Sequence, residues 1–424
     1  MNLYLFNDNN VASNYGIGTY LKELTRILEC TDILVHIINI NSSRPEFEIV
    51  KSEKIEIWNV PVVRNTQLID GAIYRLEDYY QNVIFLLRLH IKDTKDLVFH
   101  FNYNQCVMFA KGLKATFDCN TVTTVHYIKW AHELQGNLSK LHVIKSKPNN
   151  QRTQLELMLI ATDEKERSLF MEVDRIITLS QYTKKLLLDE YQIGLYKLSF
   201  FPNGLADINA VSEISRNELR LKWHIPTNDL IILFVGRLNP VKGLTYLIRS
   251  FRKVLKIIPN CRLLVAGNGD YDIHIKEAKD ICTKIAFTGL LEKKELYELY
   301  TIADIGVMPS FHEQCSYVAI EMMMHGVPLI ASTSTGLKEM IEDGVSGFHI
   351  PIIEYPDKEI IDTDLLAEKM LYLLQNPKER ERIGKHARKR YEQLYSLPVM
   401  RRNMLNFYNS LYDTENNTPD MGGT

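Results

Sequence analysis

Two glutamates stand eight positions apart in PSFHEQCSYVAIEMMMHG at 309–326, where an apolar run gives way to helical spacing. Glu313 falls in the polar loop after ADIGVMP, and Glu321 in the second turn of a helix that Gly326 and Pro328 end. A helix start carries unpaired amides and roughly half a positive charge, so the N–H groups near Ser316, Tyr317 and Val318 suit phosphate oxygens. A carboxylate beside bound phosphate needs another partner. A sugar suits Glu313, through hydroxyl hydrogen bonds and through positive charge developing at an anomeric carbon. Glu321 suits the two hydroxyls of a ribose, a role acidic residues take in other nucleotide-binding folds. Upstream, VGRLNPVKG at 235–243 leaves a strand with Arg237 and Lys242 five apart. The planar donor fork of arginine and the compact charge of lysine together suit a diphosphate.

These residues need a scaffold that ends strands beside helix starts, and the remaining pattern supplies one. In the first half the expected strands are LYLF at 3–6, ILVHIINI at 33–40, LVFHF at 97–101, TVTTVH at 121–126, RIITLS at 175–180 and KLSFFP at 197–202. In the second half they are LIILFVG at 230–236, RLLVAG at 262–267, KIAFTG at 284–289, DIGVMP at 304–309 and VPLIAS at 327–332. Helical stretches alternate with them, and several strands are apolar on both faces, as parallel sheets covered by helices require. Two such series imply two doubly wound α/β domains, with a seam near FPNGLADINA at 201–210. Ligands of open parallel sheets bind beyond the carboxyl ends of the strands, where Arg237, Lys242 and Glu313 all fall.

Fifty basic against 52 acidic residues leave a net charge of −2, which argues against a nucleic-acid partner. Six scattered cysteines with no C-x-x-C pair read as reduced thiols, and the amino terminus lacks a signal-peptide pattern. No apolar run approaches the ~20 residues of a membrane span. A cytoplasmic chain is expected.

The order GR, KG, then glutamate, seven residues and glutamate resembles the retaining glycosyltransferases of family four. The segments STGLKEMIEDG at 334–344 and GVSGFHI at 344–350 match the same pattern. The resemblance implies a GT-B fold, with two Rossmann-like domains facing a central cleft. It places the amino-terminal, acceptor-side domain at 1–205 and the donor-side domain at 206–395. A helix at 396–412 crosses back, ahead of a disordered tail at 413–424. The implied activity is transfer of a sugar from a nucleoside-diphosphate donor to an acceptor hydroxyl. Anomeric configuration is retained, with no cofactor and no metal. Arg237 and Lys242 would hold the diphosphate, Glu313 the sugar and Glu321 the ribose. Amides of Ser316, Tyr317, Val318, Gly336 and Leu337 would support phosphate and sugar, and the base would lie near Gly267 and Ile285. SNYGIGTYLKEL at 13–24 matches the glycine-rich loop that approaches the diphosphate through Gly16 and Gly18. His126, closing TVTTVH, matches the family histidine that faces the sugar.

Gln314-Cys315-Ser316 depart from the Pro-Phe-Gly common in the family. Serine there can cap the helix, and Cys315 reads as a small packing residue. A metal reading of DYD at 270–272 gives way to a polar loop, and His312 to a structural histidine with a weak claim on the site. The segment from Lys129 to Arg152, with three further lysines and Trp130, reads as a solvated loop and helix. Weak peripheral contact with anionic lipid is its alternative. A nucleotide-sugar hydrolase or epimerase, or a non-catalytic nucleotide-sugar binding module, remain as competing functions. The acceptor is left open among glycan, lipid, small molecule and peptide.

Overall fold

The computed structural model describes residues 1–8, 16–52, 54–62, 76–103, 106–208, 214–355 and 358–412. The expected tail at 413–424, residues 13–15 of the glycine-rich stretch and residues 209–210 of the seam lie outside the described residues. The first sheet is built from β1 (Asn2–Asp8), β2 (Leu34–Ser42), β3 (Glu48–Lys51), β4 (Ile55–Pro61), β5 (Leu97–Phe101), β6 (Cys119–Val125), β7 (Arg175–Thr178) and β8 (Leu198–Phe200). Its order is β3-β4-β2-β1-β5-β6-β7-β8, parallel except for the β3–β4 edge pair. The second sheet holds β9 (Leu230–Val235), β10 (Cys261–Ala266), β11 (Ile285–Gly289), β12 (Ile305–Met308), β13 (Leu329–Ser332) and β14 (Gly347–Ile350). Its order is β11-β10-β9-β12-β13-β14, parallel at every pair.

Strand chemistry follows from two-sided coverage. All five residues of β5, LVFHF, are buried, so the strand needs apolar side chains on both faces. The helix Leu244–Leu255 buries Leu244, Leu247, Ile248, Phe251 and Val254, one stripe at helical period. Gly243 starts it at φ 68°, and a Cβ there would lie 2.0 Å from the Pro309 carbonyl oxygen. Glycine therefore lets the Lys242 turn press against the end of β12.

One apolar cluster runs through both domains. It joins Tyr20 and Leu24 of the helix Gly16–Leu28 to Leu205, to Met322 of the helix Tyr317–Met324, and to Met404 and Tyr408 of the helix Leu397–Ser410. That last helix packs on the first sheet: Tyr408 Oη lies 2.7 Å from His100 Nδ1, and Tyr412 Oη donates to the Leu97 carbonyl at 2.8 Å. The connection at 203–207 is fixed as well. Leu205 exchanges backbone hydrogen bonds with Tyr395 and Leu397, and Tyr391 Oη donates to its carbonyl.

Candidate active site

The loops at the carboxyl end of the second sheet converge on Glu313. Lys242 lies in the turn Pro240–Lys242 after β9, and its Nζ donates to Glu313 Oε1. The two loops are also joined through the backbone, Phe311 N–H donating to the Val241 carbonyl at 2.7 Å. From the loop after β13, Thr335 Oγ1 accepts from Glu313 N–H at 3.0 Å, and Gly336 N–H donates to the Glu313 carbonyl at 2.8 Å. Glu313 is therefore held on both sides of its peptide unit. Arg237 is exposed at the end of β9.

The first domain closes over this group. His132, on the short helix Lys129–Glu133, is half-buried in the field of Arg237 and Lys242. Burial lowers its imidazole pKa, Glu133 opposes this, and Arg237, Lys129 and Lys242 add to the lowering. A Cβ on Gly136 would lie 2.9 Å from Thr335 Cγ2 and 3.7 Å from His312 Nδ1. The N-terminus of the helix Gln181–Asp189 is tied across the cleft. Glu339 accepts from Gln181 N–H at 2.7 Å and Tyr182 N–H at 2.6 Å, while Gln314 Oε1 accepts from Ser180 Oγ at 3.1 Å. A carboxylate from one domain thus satisfies orphan amides of the other.

His126 ends β6, half-buried, with its ring edge-to-face on Tyr20 at 4.7 Å. Asn102 Nδ2 is directed at the Phe6 carbonyl, 3.4 Å away, which turns its Oδ1 toward His126 Nε2 at 3.5 Å. Burial depresses the His126 pKa to about 3, so the ring is neutral at physiological pH. A buried chain stands behind it: Tyr20 Oη to Thr124 Oγ1 at 3.2 Å, Thr124 to His100 Nε2 at 2.7 Å, and His100 to Tyr408.

Several expected placements need correction. Gly16 and Gly18 form the first turn of the helix Gly16–Leu28 rather than a loop, although a Cβ on Gly16 would reach Tyr317 at 3.9 Å. Ser316 N–H is directed at Met340 Sδ at 3.2 Å. The Tyr317 and Val318 amides make no hydrogen bond among the described residues, and Ser316 Oγ caps at Ala319 N–H. Glu321 is buried, its two oxygens held by Tyr300 Oη at 2.8 Å and Lys293 Nζ at 3.0 Å. Gly267 does stand at the end of β10, with Tyr271 Oη on its carbonyl at 2.9 Å. Ile285 does not. It begins β11 opposite Leu263, four residues from the carboxyl end, and packs on the core beneath.

The residues weighed as alternatives each have a structural partner. Cys315 is buried, its carbonyl accepting from Asn203 Nδ2 at 2.7 Å, so it packs against the interdomain connection. Asp270 caps the helix Tyr271–Glu277, accepting from Asp272 N–H at 3.0 Å. His312 is buried on Thr335, and burial holds its pKa near about 3. In the basic segment, Lys145 pairs with Asp163 at 2.7 Å and Lys147 with Glu156 at 2.6 Å, partners on the helix Gln154–Glu172. Leu337 is buried at the start of a short helix behind Gly336. Thr335, Glu339, Ser180 and His132 are the contributors that the sequence reading did not single out. Ser180 was findable, as a serine closing a strand at a helix N-cap.

Two Rossmann-like sheets with facing carboxyl ends and a carboxy-terminal helix returning to the first define a GT-B protein. Residues 215–390 match the family described as "Glycosyl transferases group 1". An uncharacterized glycosyltransferase of Methanocaldococcus jannaschii is 31% identical over 244 residues, covering 55% of this chain and 59% of the relative. The D-inositol 3-phosphate glycosyltransferase of Mycolicibacterium smegmatis is 27% identical over 43% of each chain. The chain thus spans about half the length of the curated relatives it matches. Among solved structures, the sucrose-phosphate synthase of Thermosynechococcus elongatus superposes with a TM-score of 0.73 at 19% identity, over 97% of this chain and 99% of that one. Anabaena HepE in complex with UDP-glucose gives 0.68 at 15% identity, over 97% and 100%. At these identities the likeness is one of fold. No helix among the described residues is long and apolar enough to cross a membrane.

Proposed function

We propose that the chain is a glycosyltransferase. It moves a sugar from a nucleoside-diphosphate donor to an acceptor hydroxyl, with retention and without a metal ion, in the manner of family four. One observation carries this reading. Arg237, Lys242, Glu313 and the open Tyr317 and Val318 amides follow the carboxyl ends of β9 and β12, and the neutral His126 follows the carboxyl end of β6 in the other domain. The donor class is one that a fold neighbour, Anabaena HepE, holds in its crystal.

In the reaction the anomeric C–O bond breaks and its electron pair leaves with the diphosphate. Arg237, Lys242 and the helix amides stabilise that charge, each charge-assisted contact contributing about 1.5–3 kcal/mol. Glu313 hydrogen-bonds the sugar and stabilises the positive charge at the anomeric carbon. The acceptor oxygen bonds to the same face, and its proton passes to a donor phosphate oxygen. The neutral His126 offers a hydrogen bond to the sugar without adding charge. Ties from Glu339 and Gln314 to the helix Gln181–Asp189 hold the domains closed and keep water out.

The test is nucleoside diphosphate release from a panel of nucleotide-sugars, with and without cell extract. Release that depends on extract is expected. Release at the same rate without it supports hydrolysis, and binding with no release in either condition refutes an enzyme. Glu313→Ala is expected to abolish turnover while leaving nucleoside diphosphate binding intact or tighter, because it frees Lys242. Normal turnover in this variant contradicts the role given to Glu313.

A further inference from the structure

The donor half of the cleft is rich in cations, and the far end of the first sheet is the opposite. Across neighbouring strands β2, β1 and β5, the carboxyl edge presents Asn41, Asp8 and Tyr103. Asp8 is half-buried and accepts from Asn41 Nδ2 at 3.3 Å. No basic side chain lies within ion-pair distance of it among the described residues, whereas Asp163, Asp174, Glu313 and Glu321 each have a lysine. Asn41 is held in the left-handed region at φ 51°, its N–H donating to Tyr79 Oη at 2.7 Å. Such a conformation in a non-glycine residue persists where the surroundings enforce it, and it concentrates at ligand sites.

Three tyrosines lie in the field of the carboxylate. Burial raises the pKa values of Tyr80, Tyr103 and Tyr127, and the Asp8 charge raises each further. Tyr103 is more than nine-tenths buried, yet its Oη has no hydrogen-bond partner. A buried hydroxyl and a half-buried carboxylate left this way lose free energy unless a ligand or water satisfies them. Asp8 lies two strands from His126, roughly 10 Å at the usual strand spacing.

We propose that this edge is the acceptor subsite and that it takes a non-anionic carbohydrate, whose hydroxyls donate to Asp8 and accept from Tyr103. The proposal rests on the function read above and deepens it by naming the acceptor class. A phosphate-bearing acceptor brings a second negative charge beside Asp8 with no cation among the described residues to separate them. A hydrocarbon chain leaves both polar groups unsatisfied. A sugar ring presents several hydroxyl donors to the acceptor sites of one carboxylate and C–H faces to the tyrosine rings.

The experiment measures binding of neutral di- and trisaccharides to the whole chain by saturation-transfer NMR, with nucleoside diphosphate binding followed by calorimetry. The unsubstituted protein, Asp8→Asn and Tyr103→Phe are compared, with vesicles containing phosphatidylinositol as the anionic control. Expected are saccharide binding by the unsubstituted protein, at least tenfold weaker binding by Asp8→Asn, a smaller loss for Tyr103→Phe, and unchanged diphosphate affinity. Asp8→Asn removes a charge that has no cation partner among the described residues, so its thermal midpoint stays level or rises. Saccharide binding indifferent to both variants overturns the proposal, as does vesicle binding in place of saccharide binding. If no nucleoside diphosphate binds, the transferase reading fails by itself, and the Asp8 dependence of saccharide binding still decides this one.

Discussion

Replacing Gly336 with alanine tests whether Glu313 must be held where its two loops put it. A Cβ at 336 would lie 1.7 Å from the Gln314 carbonyl oxygen and 2.9 Å from Ser180 Cβ, and contacts below 3.0 Å are not tolerated. The carbonyl and the new methyl must therefore separate by about 1.3 Å. Backbone fills the gap on one side and the other domain on the second, so no flexible side chain can yield. Gly336 N–H donates to the carbonyl of Glu313, which immediately precedes Gln314, and the displacement passes directly to the proposed sugar-facing carboxylate. A misplacement of 1 Å costs about 10²-fold in rate, so kcat should fall by at least that factor, or about 2.7 kcal/mol in barrier. The assay is nucleoside diphosphate release at saturating donor, with calorimetric diphosphate binding and thermal unfolding as controls for fold. Gly16→Ala provides the contrast, since among the described residues its Cβ would find nothing nearer than Tyr317 at 3.9 Å. Any loss there reports a ligand against the backbone rather than a clash within the protein. A Gly336→Ala enzyme turning over within threefold of the unsubstituted chain would refute the positioning argument.

Arg237→Ala and Lys242→Ala should each weaken nucleoside diphosphate binding by about 10- to 100-fold, the size of a lost charge-assisted contact, as read by calorimetry. Chelation of divalent ions should leave turnover unchanged, and a loss restored by added metal would count against the role of the cations. Acid should destabilise the fold, because burial lowers His100, His126 and His312 to about 3 while the unfolded chain titrates near 6.5. Their contribution is present in full above pH 6.5 and is lost between 6.5 and 3, at up to about 1.4 kcal/mol per pH unit per histidine. Urea midpoints that do not fall between pH 7 and pH 5 would exclude this.

The second domain was legible because its chemistry sits in short loops directly after apolar strands. Every strand read from the sequence is found, with ends displaced by at most two residues. The strands β3, β4 and β14 and the short antiparallel pair Ile352–Glu354 and Glu359–Ile361 were not read from the sequence. Ile285 was misplaced because sequence gives the strand but not which of its residues stands at the carboxyl end, which is Gly289, four residues on. The burial of Glu321 by Lys293 and Tyr300 was hidden for a different reason: both partners come from the helix Lys293–Ile302, outside the motif. Contacts between domains, such as Glu339 on the helix Gln181–Asp189, leave no local periodicity at all. Only the tertiary arrangement reveals them.

The pairing of Lys242 with Glu313 bears on how one lysine can serve both sugar and phosphate. An ammonium group has three N–H donors, and one of them meets Glu313 Oε1. The remaining donors can reach a phosphate oxygen without breaking the pair, which a residue with a single donor could not do. The cation then stands between the carboxylate and the departing diphosphate, two anions that would otherwise repel. Arginine at 242 would keep the charge but not the geometry, since its longer, planar guanidinium cannot put one compact donor centre between the Glu313 carboxylate and a phosphate. Lys242→Arg should therefore retain diphosphate binding and lose turnover. Full activity in that variant would show that Glu313 needs only a nearby positive charge, and the bridging role assigned to lysine would fall.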